Sequence, residues 1–393
     1  MAHKSSTYNY NLRNKRKGRK RFFKVFGILT LVLALLLILC AYSGKFSPES
    51  FFPGPFLTLA YMPMLLFAGF VLIIALLLRR WGSVLALVAA FVATLPVFNL
   101  YVPLNSEETL PPVPVEADAM LKVMTYNVLT FNYNDPLLAG QNLTTIDLIL
   151  EAKPDVVVIQ EGVAAGINWY EIPSLQPHKA EIETLFPYIY TSPEGLNLMS
   201  RFPFTTHALG EPKRTRTVLG YNRENSAYLA RAYDLQLPSG KQLRLIDFRL
   251  QSYHLQFGKS MNTRISPDAK PSPLERMKRS SVLRSNDASV IRQAIDDSPG
   301  NVIVCGDMND VPSSHVYRTI RGDDLIDAWN EVGYGYAYTF NRHHLPFRID
   351  HVLYRGALQA VHASRIKGGS SDHYPLLVTF DIDVTKPHST EDK

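Results

Sequence analysis

"GGSSDHYPLLVTF", residues 368–380, sets a carboxylate and an imidazole side by side immediately before an apolar run. Leu376–Phe380 has the length and composition of a buried strand. Ser, Asp and Pro are ordinary turn residues, and turns lead into strands, so Ser371 to Pro375 has a purely structural explanation. A chemical one requires partners for Asp372 and His373 at the ends of other strands.

Upstream lie several more runs of the same kind: "LKVMTYNV", "DVVVIQ", "LNLMS", "AYLARAYDLQL", "QLRLIDFRL", "NVIVCGD" and "IDHVLY". Alternating or continuous β-branched runs of this length predict strands. "NLTTIDLILEAK" and "LERMKRSSVLRSNDASVIRQAIDD" between them predict helices. The pattern is strand-rich α/β without an internal repeat. It reads as one domain over residues 119–385, with a polar tail at 386–393. The preceding "VPLNSEETLPPVPVEAD" (102–118) is Pro-rich and aperiodic, as a linker is.

Polar residues recur at the ends of these runs. Asn127 ends "LKVMTYN" and Glu161 follows "DVVVIQ". Asp307 and Asn309 follow "NVIVC" in "GDMND", and Asp350 opens "DHVLY". Each alone is an ordinary turn or cap, and a lone His in a turn is usually solvated or hydrogen-bonded. When two sheets pack face to face, however, strand ends converge at one rim, where such groups share a cleft.

Taken in order, "MTYNV", "PDVVVIQE", "LMSRFPF", "GDMND", "YTF", "RIDHVLY" and "SDHYPL" resemble the endonuclease/exonuclease/phosphatase superfamily, the deoxyribonuclease-I-like group. The resemblance covers about residues 120–383. It implies a four-layer α/β/β/α sandwich and hydrolysis of phosphate esters with a divalent metal. Carried over by position, it makes Glu161 the principal metal ligand and Asp372 a second carboxylate near the metal. Hard oxygen ligands suit Mg2+ or Mn2+. Asp307 matches the residue that orients or deprotonates the attacking water. Asn127 and Asn309 match residues that hold the phosphate or its water without adding negative charge. His373 would stabilise the transition state, with Asp350 holding its ring and favouring its charged form.

One position departs from the pattern. Members commonly carry a His-Leu after the strand that precedes the long helix, and here "LRLIDFRLQSYHL" puts Arg249 at the His position. A guanidinium there could bind a phosphoryl oxygen. His254, five residues on, is the alternative donor. The structural explanation of Arg249 is a salt-bridged surface residue.

The N-terminal hundred residues differ in kind. Residues 1–101 hold twelve Lys/Arg and one acid, Glu49, whereas the other 292 carry 29 bases against 34 acids. Nine of the cations fall in residues 1–24, a basic tail. Val25–Tyr42, Phe56–Leu78 and Trp81–Tyr101 are apolar runs of 18, 23 and 21 residues. That is close to the ~20 needed to cross a bilayer as a helix. Three transmembrane helices over 25–101 are expected. The basic tail and "LRRWGS" should be cytoplasmic by the positive-inside rule. The domain after Tyr101 is then extracytoplasmic, and periplasmic if the membrane is a bacterial inner one. "AYS" at 41–43 has signal-peptidase spacing, so cleavage after Ser43 is an alternative to an uncleaved anchor. The two cysteines, Cys40 and Cys305, sit in apolar runs and make no disulfide framework.

The expected substrate is a phosphodiester or phosphomonoester of a lipid or envelope molecule. Tethering raises the effective concentration of a lipid headgroup. The acidic domain and its single basic patch (210–225) disfavour nucleic acid, so an extracytoplasmic nuclease is the second reading. A non-catalytic phosphate-binding scaffold is the third.

Overall fold

In each sheet of the folded chain, one strand of the central parallel pair, Val156–Gln160 or Val302–Asp307, is buried on both faces, which is why its sequence opens on an unbroken apolar run. The computed structural model describes residues 2–105, 119–131, 144–163, 166–210, 230–252, 272–340 and 346–383, with side chains from residue 17 onward. It divides into two compact units, residues 1–44 with 53–98 and residues 45–52 with 99–393.

Most of the first unit lies in α1 (Ala2–Tyr42), α2 (Gly54–Leu77) and α3 (Trp81–Tyr101). All three are long and apolar enough to cross a membrane, with mean hydropathies of 2.8, 2.4 and 2.1 over an 18-residue window within residues 17–45, 54–77 and 81–101. Helix α1 starts well before the apolar run, inside the basic tail. Lys and Arg are good helix formers, and nothing there breaks the helix.

In the second unit β1 (Met120–Asn127) leads through α4 (Thr145–Ala152) to β2 (Val156–Gln160). Then follow α5 (Lys179–Leu185), β3 (Tyr188–Tyr190), β4 (Asn197–Ser200) and β5 (Phe204–Leu209). Strands β6 (Ala230–Gln236) and β7 (Gln242–Arg249) precede the long α6 (Pro273–Asp296) and β8 (Val302–Asp307). The chain closes with α7 (His315–Arg321), β9 (Ile326–Asp327), α8 (Ala328–Val332), β10 (Asp350–Arg355), β11 (Gln359–Arg365) and β12 (Leu376–Asp381).

Two six-stranded sheets result, ordered β11-β12-β1-β2-β4-β3 and β5-β6-β7-β8-β10-β9. Their parallel pairs, β1/β2 and β7/β8, are joined through α4 and α6, as parallel connection requires. Alternation sorts the side chains. Leu121, Val123, Val156, Val158, Leu243, Leu245, Ile303 and Cys305 form the layer between the sheets. Met124, Tyr126, Val157 and Ile159 face Ile146, Ile149 and Ile182 on the helices of one side. Ile246, Phe248, Val302 and Val304 face Ala288, Ile291, Val316 and Ile320 on the other. The architecture is therefore the α/β/β/α sandwich expected from the sequence.

Residues 102–105, the start of the expected linker, are bound to the domain. Leu104 bridges to Tyr334, and Asn105 Nδ2 donates to the carbonyls of Asn330 (3.0 Å) and Gly333 (2.8 Å). The rest of that linker, the basic patch beyond Gly210, His254 and the tail lie outside the described residues.

Candidate active site

The inward parity of the strands continues to their last residues. Leu121, Val123 and Thr125 lead to Asn127; Leu243, Leu245 and Asp247 lead to Arg249; Ile303 and Cys305 lead to Asp307. The register then brings the ends together, with Asn127 opposite Gln160, Arg249 opposite Asp307, and Asp350 opposite Asp307. Side chains from both sheets meet at one rim for this reason.

Asn127 joins the two sheets. Its Nδ2 donates to Glu161 Oε1 at 2.9 Å and to Asp307 Oδ2 at 3.2 Å. Asn309 serves Asp307 twice, through its backbone N to Oδ1 (2.8 Å) and its Nδ2 to Oδ2 (2.9 Å). Glu161 and Asn309 both have φ +49°. Asn tolerates that region, but for Glu it costs about 1–2 kcal/mol, and such strain clusters at functional sites. Thr130 N donates to the Glu161 carbonyl at 2.7 Å, and Gly162 N to the Gly195 carbonyl at 2.8 Å, which holds the turn. Directly below, Gln160 Nε2 donates to Asp247 Oδ1 at 2.7 Å and braces β2 against β7.

His373 Nδ1 lies 2.8 Å from Asp350 Oδ2, and both residues are buried. Thr339 Oγ1 accepts the backbone N–H of Ile349 (3.1 Å) and of Asp350 (3.0 Å). The Phe340 ring meets the imidazole edge-on, centroids 5.1 Å apart. Ser371 Oγ donates to the Asn127 carbonyl at 2.6 Å and accepts the His373 N–H at 3.1 Å. That one hydroxyl ties the "SDHYP" turn to the end of β1, and Asp372 lies between Ser371 and His373.

The electrostatics follow from burial and crowding. Burial, with Asp350 beside it, raises Asp307 to about 7, against the lowering effect of His373 and Arg249. Burial opposes charge on His373, but Asp350, Asp307 and Asp372 outweigh it and raise the imidazole to about 10. Asp307, Asp350 and His373 offer ligand atoms all within 4.8 Å of one another. The imidazole of this trio has Nδ1 engaged by Asp350, and the neighbouring carboxyl groups favour its charged form.

The oxygens that could hold a metal are those of Glu161 and Asp372; Asp350 Oδ1 is buried and has no hydrogen-bond partner among the described residues. A hard-oxygen set fits Mg2+ or Mn2+. Arg249, at the departing position, places Nη2 2.6 Å from Glu161 Oε1, with the two side chains 36% and 23% exposed. The pair is partly buried, with Arg249 opposite Asp307 in the β7/β8 register.

The endonuclease/exonuclease/phosphatase family model matches residues 124–373, from β1 to the imidazole itself. The chain belongs to this family.

As a member of the endonuclease/exonuclease/phosphatase family it is a phosphoester hydrolase. A domain of unknown function (DUF8431) matches residues 23–101. No curated protein matches the chain. Among solved structures, an endonuclease/exonuclease/phosphatase from Beutenbergia cavernae is 19% identical with a TM-score of 0.44, covering 67% of this chain and 71% of its own. The Bacteroides thetaiotaomicron mannosyl-6-phosphatase is 13% identical with a TM-score of 0.42, covering 66% and 99%. Sphingomyelinase C from Streptomyces griseocarneus is 16% identical with a TM-score of 0.38, covering 66% and 99%.

Asn127, Glu161, Arg249, Asp307, Asn309, Asp350, Asp372 and His373 of this family member all fall at the one rim. Sequence reasoning passed over Ser371, Thr339 and Gln160, which hold the turn, the Asp350 backbone and the Glu161 strand. Two signals were present: "YTF" among the family-like stretches, and inward parity for Gln160. A concavity of about 550 Å3 is lined by His207, Arg244, Val290 and Asp297 and contains none of the site residues.

Proposed function

We propose that this phosphoester hydrolase is tethered to a membrane by α1–α3 and hydrolyses a phosphodiester or phosphomonoester of a lipid or other envelope molecule. The observation that carries the catalytic part is the buried Asp307 carboxylate, held by Asn127 and Asn309 and faced by the His373–Asp350 pair. An ionisation near neutrality suits a general base at physiological pH. Asp307 takes the proton of the attacking water, whose oxygen bonds to phosphorus as the ester P–O bond breaks. His373, with Nδ1 engaged by Asp350, keeps Nε2–H to donate to a phosphoryl oxygen as charge builds there. Asn127 and Asn309 hold Asp307 in place without adding negative charge. Glu161 and Asp372 would hold Mg2+ or Mn2+, which when bound neutralises charge on the phosphoryl and leaving oxygens.

The membrane part is supported by three helices of spanning length and by cations in the tail and at Arg79–Arg80. Their positions favour a cytoplasmic N-terminus and an extracytoplasmic domain. A domain fixed beside a bilayer meets lipid headgroups at high effective concentration, which favours them over soluble nucleic acid.

The test is hydrolysis by the full chain in detergent micelles or nanodiscs with Mg2+ or Mn2+. Bis-p-nitrophenyl phosphate, a lipid phosphodiester panel and plasmid DNA are the substrates, and Asp307→Asn is the control. Lipid turnover that disappears in the variant supports this reading. Turnover of DNA alone replaces it with the nuclease, and turnover of nothing at normal metal affinity replaces it with a phosphate-binding scaffold.

A further inference from the structure

Glu161 Oε1 accepts a hydrogen bond from Asn127 Nδ2 at 2.9 Å and is ion-paired with Arg249 Nη2 at 2.6 Å. Arg249 Nε is buried and likewise has no partner among them. The guanidinium stands opposite Asp307 in the β7/β8 register. It is thus anchored by one ion pair, with donors to spare, beside both the candidate metal ligand and the candidate base.

We propose that Arg249 and a divalent cation compete for Glu161, so that metal and the substrate phosphate load together. This rests on the assignment of Glu161 as metal ligand made above. Before metal arrives, Arg249 neutralises Glu161 and keeps a strained, half-buried carboxylate in one orientation. A cation bound at Glu161 displaces the guanidinium, because two positive groups cannot share one carboxylate oxygen without repulsion. The freed fork then points its donors at the nearest anion, the phosphoryl group, for which its planar geometry is suited. Coupling is reciprocal: an anion that draws Arg249 away releases Glu161 to the metal, and metal at Glu161 releases Arg249 to the anion.

The test uses the full chain in detergent, with Mn2+ binding followed by electron paramagnetic resonance or calorimetry, with and without inorganic phosphate. Arg249→Gln removes the charge. It should bind Mn2+ alone about tenfold more tightly than the wild type, because the ion pair with Glu161 no longer has to break. In the same variant the strengthening of Mn2+ binding by phosphate should shrink several-fold. Arg249→Lys keeps the charge and should restore the wild-type coupling, which a structural role of the side chain would not predict. Glu161→Gln should abolish Mn2+ binding in both backgrounds. Loss of Mn2+ binding in Glu161→Gln with no difference between wild type and Arg249→Gln overturns the competition and leaves the metal assignment standing. Unchanged Mn2+ binding in Glu161→Gln overturns the metal assignment and the competition with it.

Discussion

His373 Nδ1 and Asp350 Oδ2 stand 2.8 Å apart, though 23 residues separate them in sequence. The imidazole comes from the turn before β12 and the carboxylate from the start of β10, in different sheets. A pair that spans the sandwich fixes the ring and favours its charged form.

Asp350→Asn should therefore fold and yet lose activity. We expect kcat on bis-p-nitrophenyl phosphate to fall about a hundredfold or more. His373→Gln should cost a similar factor, and the double variant should cost little more than either single one, since the two act as a unit. Additive losses in steady-state kinetics would separate them.

His351 sets an acid limit on stability. Burial and the Arg348 charge depress its imidazole to about 3, with Asp327 nearby opposing them. A depressed folded value means that the stabilisation is present above the unfolded pKa of about 6.5 and lost as pH falls toward 3. Asp307 acts in the opposite sense, because its raised folded value removes stability as pH climbs from about 4 to 7. The comparison is accordingly with His351→Gln, in which Asp307 is unchanged. Between pH 6.5 and 4 the wild type should lose up to about 1.4 kcal/mol per pH unit relative to the variant, measured by urea unfolding.

Gly306→Ala should prevent folding of the β7/β8 pair. Gly306 has φ +153°, and a Cβ there would meet the Phe248 carbonyl oxygen at 2.1 Å. The neighbour is backbone in the middle of a sheet, so it cannot give way. Loss of the cooperative thermal transition, or of soluble yield, is the expected result.

Arg284→Met should destabilise by about 3–5 kcal/mol, because it leaves a buried carboxylate uncompensated. Arg284 is fully buried on α6, donates to Asp310 Oδ2 at 3.2 Å and to the Gln251 carbonyl at 2.9 Å, and so fastens the "GDMND" loop to the helix. The double variant with Asp310→Leu should recover much of the loss in the same unfolding measurement.

Much of this site could be read from the chain. Asn127, Glu161, Asp307, Asp350 and His373 each abut an apolar run, and a polar residue that continues the inward parity of a buried strand has nowhere to go but the rim. Spacing and length likewise gave the two crossover helices and the three helices of spanning length. What the chain could not supply was which strand ends lie opposite one another. Arg249 reads as phosphate binder or surface residue until the register sets it against Glu161. Arg284, Asp310, Asp327, Arg348 and His351 look like surface charges until packing buries them together.

The sequence by itself determined the strand-rich α/β class, the apolar N-terminal helices, and the residue types available for phosphate chemistry. Periodicity and local turn chemistry act over a few residues and leave their mark in composition. Only the tertiary structure decided that Asn127 bridges Glu161 and Asp307 across two sheets, and that a guanidinium occupies the carboxylate expected to hold a metal. Those relationships arise from strand order and register, which depend on contacts between residues 34 to 180 positions apart.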